Sequence, residues 1–262
     1  MASDKMISKV VDGVGWMTFN NPERHNAISL EMWEAALEIM AGFAADPSVR
    51  VMVLSGAGGK AFASGADISK FKDERQEADA VAHYQATTQK AYQALLNMQI
   101  PTVAMVRGYC IGGGTAVAVC CDIRICTENA KFGIPAAKLG LGYGYNRAKP
   151  LVDLVGPAFA KEMFFTGRQF DAREAETMGL VNRVVADDAL EATVDEMART
   201  IAQNAPLTIR CAKMVVGEVL KDAQDRNVAA TDRAVEVCFR SSDYKEGQAA
   251  FMEKRRPRFT GT

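Results

Sequence analysis

Apolar and polar positions alternate over Val14–Phe19, a strand pattern that the Asn21-Pro22 turn closes. Ser29 then stands where an N-cap belongs, ahead of a segment in which Trp33, Ala36, Leu37, Met40 and Phe43 share one helical face. Residues 49–54 form an apolar run of strand length. Residues 73–98 carry Val81, Tyr84, Ala91, Tyr92 and Leu95 at helical spacing, which predicts a long helix stopped by Pro101. A strand over Thr102–Val106 leads into a glycine-rich junction, and small apolar residues from Thr115 onward predict a buried helix. Two short extended segments follow, at residues 122–126 and 130–133. From about 189 to 237 the pattern is purely helical. Strands alternating with helices in this order imply an α/β architecture.

The junction Gly112-Gly113-Gly114 changes that picture from architecture to chemistry. Glycine lets the backbone turn sharply and lets another atom approach closely, because no Cβ intervenes. The first amides of the helix that follows lack intrahelical partners and point outward with the positive end of its dipole. Such a place suits a negatively charged oxygen, although tight packing of a helix on a strand also accounts for an isolated glycine triplet. A second small-residue loop, Ser64-Gly65-Ala66-Asp67, follows the strand at 49–54. Together the two loops are able to aim two amides at one oxygen.

Composition narrows the function classes. The 262 residues are 48% hydrophobic and 24% charged, values of an ordinary globular protein, and suffice for one large core. A net charge of −1 argues against nucleic-acid partners and a membrane-attracting surface, so an anionic ligand needs locally placed Lys or Arg. The start carries neither a signal peptide's apolar block nor the Arg-rich character of a transit peptide, and a cytoplasmic location is expected. Six cysteines lie mostly in apolar segments without metal-ligand spacing and read as small core residues in a reducing compartment. With only His25 and His83, no metal site is expected.

The segments Ala61-Phe-Ala-Ser-Gly-Ala-Asp-Ile68 and Gly108-Tyr-Cys-Ile-Gly-Gly-Gly114, with Cys121-Asp122-Ile123 after them, closely resemble the two signature segments of the enoyl-CoA hydratase/isomerase (crotonase) superfamily. The resemblance runs over nearly the whole chain. It includes Asn20-Asn-Pro-Glu-Arg-His-Asn-Ala-Ile28, Phe165-Thr-Gly-Arg-Gln-Phe-Asp-Ala172, Ala175-Glu-Thr-Met-Gly-Leu-Val-Asn182 and Phe251-Met-Glu-Lys-Arg-Arg-Pro-Arg-Phe259. It implies a spiral of ββα units over residues 1–188 that binds acyl-CoA, and a C-terminal helical oligomerisation region over 189–262. The implied assembly is a homotrimer or a dimer of trimers. No separate cofactor is implied, because coenzyme A arrives as part of the substrate.

Carried over by motif position, the oxyanion donors are the amides of Ala66 and Gly113. Ala63, Ser64, Asp67, Ile68 and Gly112 flank them as substrate-contacting positions. Arg24 and the Ala27-Ile28 backbone match a segment that contacts the nucleotide in relatives, and Lys254, with Arg255 and Arg256, is a candidate for the phosphates. In relatives that hydrate enoyl-CoA, one glutamate lies two residues beyond the glycine triplet and another follows the proline of Phe-Gly-x-Pro. Here those positions are Ala116 and Ala136. An acid–base group contributes about 10²–10⁴-fold, so their loss should nearly abolish hydration by that route.

Isomerisation, decarboxylation or another lyase reaction is therefore favoured, with Tyr143, Tyr145 and Asn146 as candidate acid–base groups and Asp67 and His83 behind them. A catalytically silent CoA-binding or assembly subunit is the alternative that the same two alanines raise. A nucleotide-dependent oxidoreductase lacks its strand–GxGxxG–helix unit.

Overall fold

A computed structural model of the chain describes residues 4–67 and 78–262. Two parallel-rich sheets organise it. The larger has six strands: β1 (Met6–Val11), β2 (Val14–Phe19), β3 (Val51–Gly56), β5 (Thr102–Val106), β7 (Ile123–Thr127) and β10 (Arg183–Val185), side by side in that order. Only the β1–β2 pair is antiparallel. The smaller sheet has the order β4 (Ala61–Ala63), β6 (Tyr109–Ile111), β8 (Lys131–Gly133), β9 (Phe170–Asp171). Each long strand thus hands the chain to a short one in the other sheet: β3 to β4, β5 to β6, β7 to β8. Among the described residues a helix follows the first two of these pairs, α2 (Ala78–Leu96) after β4 and α3 (Gly113–Cys120) after β6. This is the spiral of ββα units that the resemblance implies.

The apolar runs become strands buried on both faces, as parallel strands covered by helices must be. Alternate residues go to opposite sides. Val51, Val53, Val103 and Ile125 meet Leu190, Val194 and Ala198 of α6 (Leu190–Gln203). Met52, Leu54, Ala104 and Cys126 face the larger cluster that contains Phe19, Phe62, Phe132 and Phe170. Helix α1 (Leu30–Ala45) begins as expected, with Ser29 accepting from the Met32 amide and Trp33, Ala36, Met40 and Phe43 buried.

Several elements differ from expectation. The predicted helix over 73–98 is described from Ala78, and 73–77 lie outside the described residues. Helix α3 starts at Gly113, two residues before Thr115, because the Thr115 hydroxyl folds back onto the Cys110 and Gly133 carbonyls and so ties the first turn to β6 and β8. Strand β1 is exposed along five of its six residues and lacks an alternating signal. Helix α4 (Tyr145–Thr166) is unannounced by periodicity, since Pro150, Gly156 and Pro157 interrupt it and Gly156 is non-helical. A short helix α5 (Ala172–Thr177) follows β9, and the helical C-terminal stretch resolves into α6, α7 (Pro206–Val219), α8 (Val228–Arg240) and α9 (Ser242–Glu253).

Candidate active site

The Asn20–Ile28 segment acts as a clamp on the first loop. Asn26 is fully buried, and its carboxamide nitrogen donates to the carbonyls of Ala57 (3.0 Å) and Ala61 (2.7 Å) while its oxygen accepts from the Asn21 amide (2.9 Å). The Ser64 amide donates to the His25 carbonyl at 3.0 Å. Ile28 forms a parallel bridge with Ala66, donating to the Gly65 carbonyl (2.7 Å) and accepting from the Asp67 amide (3.1 Å). In that pattern the central residue's own N–H points to the opposite side. The Ala66 amide accordingly has no acceptor among the described residues.

The second loop meets the first at the start of α3. The Gly112 amide donates to the Gly133 carbonyl at 2.7 Å, and the helix ladder begins with the Ala116 amide on the Gly112 carbonyl. Gly113, at the first helical position, also has no acceptor among the described residues. A Cβ built on Gly113 would stand 3.5 Å from the Gly65 Cα and 3.6 Å from the Tyr92 hydroxyl, so the two loops are neighbours. Gly114 is needed for a different reason: a Cβ there would come within 2.1 Å of the Ala63 carbonyl oxygen. Within the triplet, Gly114 serves close packing, and the Gly113 amide beside it has no acceptor among the described residues.

A cavity of about 1070 Å³ opens between α2, the C-terminal end of α3, α4 and α7, with Tyr92 in its wall. Tyr92 spans from the cavity to Gly113. It packs against Trp33 with ring centroids 5.2 Å apart, and the Arg147 guanidinium lies over its ring at 5.4 Å. Tyr143 packs on Phe164 with ring centroids 4.9 Å apart. Burial pushes the Tyr143 hydroxyl up to about 12 and raises Tyr92 well above the usual phenol value, so both are neutral proton donors at physiological pH.

The family described as enoyl-CoA hydratase/isomerase matches residues 9–262. The chain belongs to the enoyl-CoA hydratase/isomerase family. It is 33% identical to a crotonyl-CoA hydratase of Syntrophomonas wolfei over 99% of both chains. It is also 33% identical to a short-chain-enoyl-CoA hydratase of Clostridium acetobutylicum over 93% of this chain and 92% of that one. Among solved structures, an enoyl-CoA hydratase from Bacillus anthracis superposes with a TM-score of 0.92 at 30% identity, covering 99% of this chain and all of the other.

The remaining positions expected from the family likeness fall into distinct environments. Ala116 and Ala136 are both buried; Ala116 joins the first turn of α3 and Ala136 lies in the short 3-10 segment Pro135–Leu139. Ala63 is buried in β4, and Ser64 is half-buried with its hydroxyl on the Arg24 carbonyl at 3.2 Å. The Ile28 side chain is fully buried and both its main-chain groups take part in the bridge, so Ile28 builds the loop. Ala27 is likewise buried, its amide on the Arg24 carbonyl and its carbonyl holding the Asn21 carboxamide. Arg24 is exposed on the rim of the same clamp. Asp67 is buried beside the bridge. Ile68 lies outside the described residues.

Tyr145 and Asn146 are exposed in the first turn of α4 at the cavity wall, and Tyr145 is 71% exposed, so neither is held by packing as a catalytic group usually is. His83 pairs with Glu34 of α1 at 3.1 Å on the surface, away from the cavity. Lys254 is an exposed left-handed residue closing α9, and among the described contacts none carries it to the loops. Arg255 beside it is spent on Glu246 and Glu253. Sequence reasoning missed Tyr92 and Arg147. Tyr92 shares its helical face with core residues and so reads as one of them, and Arg147 ends the Gly140–Arg147 segment in which attention fell on the tyrosines and asparagine.

Proposed function

We propose that the protein is an enzyme acting on an acyl-CoA thioester, whose carbonyl oxygen takes hydrogen bonds from the Ala66 and Gly113 amides while negative charge develops on it. The observation that carries this reading is a pair of amides with no acceptor among the described residues, in loops so close that a Cβ built on Gly113 would stand 3.5 Å from the Gly65 Cα. A preorganised donor of this kind is worth about 3–4 kcal/mol of barrier. The relatives' names point to the same substrate class.

The reaction departs from hydration. Addition of water at the β-carbon needs a base for the water and an acid for the α-carbon, and methyl groups occupy both glutamate positions, Ala116 and Ala136. Isomerisation, decarboxylation or another lyase reaction fits better. Decarboxylation asks least of the site: the C–C bond breaks, its electron pair enters the enolate, and the α-carbon then takes a proton. Tyr92, held as a neutral phenol by burial, is the donor near the glycine junction, its hydroxyl 3.6 Å from the Cβ position of Gly113.

Turnover of crotonyl-, 3-hydroxybutyryl- and malonyl-type CoA esters, with α-hydrogen exchange of butyryl-CoA in deuterated water, tests this. Saturable exchange or carbon–carbon cleavage with very slow hydration is expected. Fast crotonyl-CoA hydration would contradict the weight placed on Ala116 and Ala136. Tight binding with neither exchange nor turnover would favour a silent CoA-binding subunit instead.

A further inference from the structure

The charged groups around the cavity divide into matched and unmatched sets. Lys149 holds Asp153 at 2.7 Å, and Lys213 holds Asp122 at 2.7 Å. Arg124 is buried, and backbone carbonyls of Leu180, Ala118, Cys121 and Asp122 take its donors. Both lining carboxylates are therefore spent on lysines. Arg147 remains. Its guanidinium donates to the Thr88 hydroxyl at 3.2 Å and stacks on the Tyr92 ring at 5.4 Å, with no carboxylate within ion-pair distance among the described residues.

A guanidinium on an aromatic face keeps its edge free, and that edge matches a carboxylate in two-pronged fashion. The same ring reaches Gly113, whose Cβ position lies 3.6 Å from the Tyr92 hydroxyl. Arg147 is thus separated from the proposed thioester carbonyl by the breadth of a tyrosine. We propose that Arg147 selects acyl-CoA esters whose acyl chain ends in a carboxylate, placed several carbons from the thioester and not on the α-carbon. Neutral chains of the same shape leave the cation facing an apolar end and lose its hydrogen bonds. This rests on the acyl thioester reading of the Ala66 and Gly113 amides.

Calorimetry with glutaryl-CoA and its shape-matched neutral counterpart, 5-methylhexanoyl-CoA, separates the two ideas. Wild-type protein should bind glutaryl-CoA more tightly by about tenfold or more, the difference a charge-assisted pair makes. Arg147→Met should bring the two esters to within about twofold while leaving 5-methylhexanoyl-CoA affinity unchanged, and Arg147→Lys should keep part of the preference. Equal affinities in the wild type, or a preference that survives Arg147→Met, overturn the role of Arg147 and leave the thioester reading standing. Failure of both esters to bind overturns the thioester reading and this one with it.

Discussion

Helix α3 has two ends of opposite character. At its C-terminus a buried cation closes the helix: Arg124, 2% exposed, donates to the Ala118 carbonyl at 3.2 Å and also to the Cys121 carbonyl, and continues to Leu180 at 2.7 Å. A cation there also opposes the negative end of the helix dipole. At its N-terminus the Gly112 amide is tied to Gly133, but the Gly113 amide, next to the Gly65–Ala66 loop, has no acceptor among the described residues. One end is closed for stability and the other held open. The first amides of a helix lack intrahelical acceptors, so a half-buried one there is available to water or to a ligand atom.

Substitutions at the two ends should separate activity from stability. Gly113→Pro removes the amide at a position where a helix accepts proline, so it should cut turnover by about 10²–10³-fold with the fold retained by circular dichroism. Gly113→Ala keeps the amide, and its Cβ makes only ordinary contacts at 3.5 Å, so turnover should stay far above that of the proline variant. The opposite end should behave in reverse. Arg124→Met strands several carbonyls and should lower unfolding free energy by about 3 kcal/mol in urea titration, with whatever folds still binding acyl-CoA.

Smaller effects follow farther out. Asp122 accepts from the Thr102 amide (2.7 Å), its hydroxyl (2.9 Å) and Lys213, pinning α7 to the start of β5, so Asp122→Ala should cost about 1–3 kcal/mol. His83→Ala breaks only a solvent-exposed pair and should change stability by less than about 0.5 kcal/mol and leave turnover intact. Ultraviolet titration should give Tyr143 an ionisation near pH 12, absent in Tyr143→Phe. Because burial raises that value, the phenol stays protonated through neutral pH, and activity should show no loss from its ionisation below about pH 10.

Much of this frame was legible in the chain, for physical reasons. Strands buried on both faces leave unbroken apolar runs such as 49–54, and a helix cap such as Ser29 is a local signal. The two small-residue loops were legible because backbone amides need glycine and alanine around them, whatever the substrate. The pocket was not. Tyr92 becomes a site residue only because α2 crosses the start of α3, and Arg147 only because α4 turns it over that ring. Helix α4 itself was hidden by Pro150, Gly156 and Pro157. Tyr145 and Asn146 drew attention by residue type, yet type says nothing of the 71% exposure that Tyr145 has.

The central claim is that the Ala66 and Gly113 main-chain amides hold one thioester oxygen. A crystal structure with acetoacetyl-CoA bound tests it most directly. Both amide nitrogens are predicted to lie about 2.7–3.1 Å from the thioester oxygen. A thioester oxygen bound elsewhere, with either amide turned to an internal acceptor, would contradict it.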